Sequence, residues 1–165
     1  MPSGKTLVVA APGNLPPPSK RGDVFRQAAV KALDTLSRNP NGFFLMIEGS
    51  NIDKAAHSNN LEEMMEELLD FDRTAGAVLD WASKHPGTLV VITADHNTGA
   101  FALTGGSREQ GEITGRFGSG SHDGVAVPVY AFGAGSGDFT GIYENTDIFN
   151  KIMNALKKGA DKPVR

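Results

Sequence analysis

The chain has 165 residues, of which 39% are hydrophobic and 21% are charged, and its formal net charge at pH 7 is −3. This composition is typical of a globular chain with one core, and it argues against intrinsic disorder. No basic stretch is present that would favour a nucleic-acid partner. Because the chain contains no cysteine, disulfides and thiolate metal sites are excluded, and any metal ligands must be His, Asp or Glu.

The N-terminal third predicts a strand, a loop and a helix. The apolar run at residues 6–11 predicts a short buried strand, and residues 12–22, with four prolines, predict a Pro-rich loop. From Asp23 to about residue 39, apolar residues recur with helical spacing, and Asp23 is a suitable N-cap. The two longest apolar runs, at 7–11 and 43–47, are far too short to cross a bilayer, so we expect no membrane span.

The rest of the chain alternates strands with helices. Residues 43–47 form a continuous apolar run bounded by turn residues, which is typical of a strand buried on both faces. A long helix is predicted over 61–84, followed by strands at 89–93 and 127–132 and a last helix at about 145–157. This order predicts a parallel sheet with helices on both faces, in a single α/β domain covering residues 1–165.

Acidic residues and histidines follow the predicted strands, where ligands gather in such sheets. Glu48 directly follows the strand at 43–47, and Asp95 and His96 follow the strand at 89–93. Glu48 has no histidine beside it, so it suits an oxygen-preferring ion such as magnesium.

A second group of candidate ligands combines one helix with one loop. Asp53 and His57 are four residues apart, which places them on one face of a helical turn. His122 precedes the strand at 127–132 and can fold back over the same sheet edge. One carboxylate with two imidazoles satisfies the preference of zinc for three protein ligands and an open position.

Spacing alone leaves alternatives open. An Asp and a His four residues apart are often solvated surface on an exposed helix, and a Glu after a strand is often a turn residue. His85, beside Pro86, is expected to have a structural role. From spacing, the pattern indicates a metal site in either a hydrolase or a binding module.

Three longer runs, at residues 42–57, 88–96 and 121–133, closely resemble the C-terminal half of alkaline phosphatases. The resemblance covers about residues 23–157 and implies an incomplete three-layer αβα fold with a parallel sheet. It also implies two zinc ions and one magnesium ion in the complete enzyme. The implied first zinc ligands are Asp53, His57 and His122. The implied second zinc ligands are Asp95 and His96, Glu48 is the implied magnesium ligand, and Lys54 is the implied phosphate-binding residue.

In that family the nucleophilic serine comes from the N-terminal half, and no Asp-Ser-Ala motif occurs in this chain. We therefore expect no catalytic nucleophile here, about one well-bound zinc, and little or no hydrolysis of phosphate monoesters by the chain alone. The expected partner is the missing N-terminal half or a second copy of the chain. Family members are mostly periplasmic or secreted, although the chain itself does not fix the compartment.

The sequence is also compatible with two other functions. The chain can be a catalytically inactive remnant that binds metal or another protein. A sulfatase or phosphodiesterase of the same superfamily would share the Asp-His pattern, but residues 48–57 fit phosphatases better.

Overall fold

A computed structural model of the chain describes residue 11 and residues 13–160. The strand predicted at residues 6–11 therefore lies outside the described residues except at its last position. Five α-helices and one 3-10 helix are present among the described residues. They are α1 (Pro18–Arg21), α2 (Val24–Leu36), α3 (Ser50–His57), α4 (Leu61–Ser83), α5 (Asp147–Ala160) and the 3-10 helix Ser136–Phe139. Helix α1 lies within the segment predicted as a Pro-rich loop.

Six short strands form three two-stranded ladders in the described part of the chain. They are β1 (Leu89–Ile92), β2 (Asn97–Thr98), β3 (Ala102–Ser107), β4 (Glu112–Arg116), β5 (His122–Asp123) and β6 (Tyr130–Gly133). Strand β1 pairs with β6, β2 with β5, and β3 with β4, each time antiparallel. None of the described helices is long and apolar enough to cross a membrane.

The mixed helix-and-strand architecture agrees with the predicted α/β class, but the strand pairing differs from the parallel arrangement expected. Leu89 lies opposite Gly133 and Ile92 opposite Tyr130, so β1 and β6 are antiparallel. The segment between them contains the β3–β4 hairpin, and an antiparallel pair needs no crossover helix.

Residues 43–47, predicted as a buried strand, belong to no helix and to no ladder among the described residues. Their side chains alternate as in a strand. Phe43 and Leu45 pack against the buried cluster of Leu33, Trp81 and Ala82, whereas Phe44 and Met46 are 61% and 73% exposed. The segment is therefore buried on one face rather than on both.

A second buried cluster supports helix α3. Ala55 and Ala56 are buried together with Met64 of α4. Phe101 and Phe117, on either side of the β3–β4 hairpin, cover this cluster and pack with ring centroids 4.9 Å apart. Burying small side chains on one face of α3 brings the helix close to its neighbours and leaves its polar face directed at the strand ends.

Candidate metal centre

Asp53, His57 and His122 converge on one point. Asp53 and His57 occupy one face of α3, and His122 begins β5. The Nε2 atoms of His57 and His122 are 3.0 Å apart. His57 Nε2 lies 3.5 Å from Asp53 Oδ2, and His122 Nε2 lies 3.6 Å from Asp53 Oδ1. The structure thus brings together three of the residues singled out from the sequence.

The spacing of these donor atoms suits a single metal ion. A tetrahedral zinc with bonds of about 2.0–2.2 Å separates its ligand atoms by about 3.4 Å. The three observed separations of 3.0, 3.5 and 3.6 Å bracket that value. All three side chains are partly exposed to solvent, so an ion has access to them.

The backbone holds the His57 ring in the orientation that a ligand needs. His57 Nδ1 lies 2.8 Å from the carbonyl oxygen of Gly120. Because a carbonyl only accepts, Nδ1–H donates, and in the neutral ring Nε2 keeps its lone pair toward Asp53 and His122. Metal-binding histidines commonly fix their orientation through this kind of second hydrogen bond.

His96 lies directly beside this cluster. Its ring stacks on that of His122 with centroids 3.5 Å apart. His96 Nε2 is 3.2 Å from Asp95 Oδ2, and the Asp95 side chain is 86% exposed. The Asp95–His96 pair therefore borders the group formed by Asp53, His57 and His122.

The other two sequence candidates lie outside that group. Glu48 lines a shallow pocket with Arg21, Phe25 and Asn51. Among the described residues, Glu48 is not part of a cluster of possible metal ligands. The ammonium group of Lys54 donates to Asn14 Oδ1 at 2.5 Å and to Asn51 Oδ1 at 3.4 Å. Asparagine side chains therefore hold the ammonium group of Lys54, which is itself a residue of α3.

Two further residues, Asp123 and Thr98, shape the site and were not predicted from the sequence. Asp123 accepts from the Asn97 amide and from the backbone N–H groups of Val125 and Ala100, at 2.9–3.0 Å. These hydrogen bonds lower the pKa of the Asp123 carboxyl below its ordinary value, and the bond from the Asn97 amide has the largest effect. Thr98 is buried and donates to Asp53 Oδ1 at 2.6 Å. Both residues lie on the β2–β5 ladder, two-residue strands that give no hydrophobic pattern.

The family model described as alkaline phosphatase matches residues 18–118. The chain belongs to the alkaline phosphatase family. It is similar to alkaline phosphatase 4 of Bacillus subtilis, with 29% identity over 81% of this chain and 44% of that protein. It is also similar to alkaline phosphatase H of Pseudomonas aeruginosa, with 32% identity over 84% of this chain and 33% of that protein.

Solved structures agree with this family assignment. The alkaline phosphatase from the Antarctic bacterium TAB5 superposes with a TM-score of 0.77 and 40% identity, over 84% of this chain and 42% of that one. A mutant of the TAB5 enzyme with bound Mg gives a TM-score of 0.79 and 38% identity, over 87% of this chain and 44% of that one. The alkaline-phosphatase-like fold is thereby confirmed. The chain spans less than half the length of these relatives.

Proposed function

We propose that this chain provides the metal-binding part of an alkaline phosphatase that hydrolyses phosphate monoesters. The observation that carries the proposal is the convergence of Asp53, His57 and His122 at separations of 3.0–3.6 Å. Membership of the alkaline phosphatase family supports the substrate class.

The proposed roles follow from the donor types and their places. Asp53, His57 and His122 hold the first zinc, while Asp95 and His96 contribute to the second. Glu48, a lone carboxylate, contributes to a magnesium site. Bound metal ions supply Lewis-acid stabilisation of the negative charge on the phosphoryl group. Lys54, whose ammonium is held by neutral amide oxygens rather than by a carboxylate, keeps its positive charge available for the phosphate of the substrate.

We propose that the nucleophilic serine comes from the remainder of the family fold, on the same polypeptide or on another. The chain spans 44% of one relative and 33% of another, so more than half of the length of each has no counterpart in the sequence given. The exposed apolar side chains of Phe44 and Met46, on one side of the same segment, support this, because single chains rarely leave neighbouring large apolar residues uncovered.

The proposal is tested by measuring bound zinc and the hydrolysis of p-nitrophenyl phosphate at alkaline pH. The proteins are the wild type, His122→Ala and, as a control that also removes one histidine, His85→Ala. His85 stacks on Trp81 with ring centroids 3.6 Å apart and is outside the cluster. We expect about one tightly bound zinc in the wild type and the control, a marked loss in His122→Ala, and little or no turnover.

Different results would separate the alternatives. Zinc binding that is equal in all three proteins would overturn the assignment of the cluster. Rapid turnover that disappears with His122 would show that the chain carries its own nucleophile. If zinc binds but adding the remainder of the fold restores no activity, the chain is a metal-binding remnant rather than part of an enzyme.

A further inference from the structure

Thr98 makes hydrogen bonds to two of the proposed metal ligands through a single atom. Its side chain, on β2, is 9% exposed. Its Oγ1 donates to Asp53 Oδ1 at 2.6 Å and lies 3.1 Å from His96 Nδ1. Asp53 belongs to the proposed first zinc site and His96 to the second. The hydroxyl therefore lies between the two sites.

The chemistry of the three groups fixes the direction of both bonds. An ionised carboxylate only accepts hydrogen bonds, so the Thr98 hydroxyl must give its one proton to Asp53. The oxygen of Thr98 then accepts from His96, and His96 Nδ1 must carry a proton. In the neutral ring this leaves the lone pair on Nε2, the atom that lies 3.2 Å from Asp95 Oδ2. One hydroxyl thus orients a carboxylate in one site and an imidazole in the other.

The surrounding structure holds Thr98 in this position. Thr98 lies opposite His122 in the β2–β5 ladder, and the next residue, Gly99, donates its N–H to Ser121 O at 2.9 Å. His96 stacks on His122. Thr98 and the ligands on either side of it are therefore parts of one hydrogen-bonded and stacked group.

We propose that Thr98 is a positioning residue that links the two proposed zinc sites, an inference that rests on the proposed function. Thr98 touches no metal in this arrangement; it acts through Asp53 and His96. Losing a hydrogen-bond partner of a metal ligand typically lowers metal affinity by about 10–100-fold. Because Thr98 is buried, water replaces its hydroxyl poorly, and we expect the loss to fall in that range.

The experiment is a zinc titration against a competing chelator, with wild type, Thr98→Val and Thr98→Ser. Valine keeps the shape of threonine and removes both hydrogen bonds, whereas serine keeps the hydroxyl. We expect about 10–100-fold weaker zinc binding in Thr98→Val and near wild-type binding in Thr98→Ser. Thr104→Val is the matched control, because the exposed Thr104 hydroxyl only donates to Thr114 O within the β3–β4 hairpin.

A second measurement uses the wild-type protein alone, so it does not depend on whether a variant folds. In a ¹⁵N NMR spectrum of the zinc-free wild type, the His96 ring should be protonated at Nδ1. Protonation at Nε2 alone would overturn the inference. So would wild-type affinity in Thr98→Val, or an equal loss in Thr98→Ser, because the hydroxyl would then have no role. If the wild type itself binds no zinc through His122, the proposed function fails, and the two failures are thereby distinguished.

Discussion

Gly99 has a backbone conformation and surroundings that only glycine fits. Its φ is +79°, in the left-handed region that favours glycine. A Cβ there would lie 2.9 Å from Phe117 Cδ1 and 3.1 Å from Ala56 O. Gly99 also accepts from the backbone N–H of Gly118 at 2.9 Å. This residue therefore connects the end of β2 to both the aromatic cover of α3 and the segment that leads to His122.

The substitution Gly99→Ala should destabilise the chain by about 1–3 kcal/mol, because it combines backbone strain with overpacking. Denaturant unfolding of the zinc-free protein measures the change. Gly76→Ala is the control, since Gly76 lies exposed within α4 and a Cβ there meets nothing within 4 Å. Alanine should stabilise that helix by up to about 1 kcal/mol. An unchanged midpoint in Gly99→Ala would contradict the structural account of this turn.

At the residue scale, local spacing predicted part of the site. Asp53 and His57 lie on one helical face, as their four-residue spacing indicated, and His85 packs on Trp81 as a structural residue. The contact of Thr98 with Asp53 could not be predicted, because these two residues are 45 positions apart in the sequence. A threonine after a strand gives no signal of its own, since hydroxyls are common in turns. The roles of Glu48 and Lys54, like those of the five other candidate residues, stay predictions.

Helix α1 is held against α4 by a buried ion cluster. The Arg21 guanidinium lies 2.7 Å from Glu67 Oε2 and 2.7 Å from Asp70 Oδ2, and these three side chains are only 3–5% exposed. Asn51, near the start of α3, also donates to Glu67 Oε1 at 3.2 Å. A single cluster therefore connects the proline-containing segment to α4 and to α3.

The variant Arg21→Leu should lower the free energy of unfolding by about 3–5 kcal/mol, because it leaves the buried Glu67 without its counter-charge and leaves Asp70 with the exposed Arg73 in place of the buried Arg21. The matched control is Arg73→Leu, which removes a 60% exposed guanidinium located 3.3 Å from the same Asp70. For such a surface pair we expect a loss of less than about 1 kcal/mol. Chemical denaturation compares the two variants, and equal effects would show that burial does not determine the strength of this cluster.

At the element scale, the long helices and the apolar strands β1 and β6 were predictable, whereas the other short elements were not. The helices predicted at 23–39 and 61–84 are observed at Val24–Leu36 and Leu61–Ser83, because many apolar residues repeat along each. Helix α3 has only eight residues, so its apolar pattern is too short to predict a helix. The β3–β4 hairpin is mostly exposed and rich in glycine, and it therefore lacks the apolar alternation that marks a strand.

For the molecule as a whole, the most informative surface is the exposed side of residues 43–47. Phe44 and Met46 point away from the core. We expect the chain alone to self-associate through them, because burying an apolar side chain contributes about 1.5–3 kcal/mol. The double substitution Phe44→Ser and Met46→Ser should therefore lower the apparent mass in sedimentation and leave zinc binding unchanged.

The control for that measurement is Ile142→Ser, since Ile142 is fully exposed on another segment. It should have little effect on the apparent mass. A wild-type chain that is strictly monomeric, or an equal decrease in the control, would show that residues 43–47 do not form an association surface.

The candidate metal centre also has a consequence for folding. His57 and His122 are 65 positions apart in the chain, so an ion bound by both closes a long loop, much as a covalent cross-link does. A permanent link across a loop of this length removes entropy worth about 4 kcal/mol from the unfolded chain. A dissociable ion stabilises instead by mass action, by about 2.7 kcal/mol at a free concentration of 100 times its Kd. Zinc availability would then control the fraction of the chain that is folded, independently of catalysis.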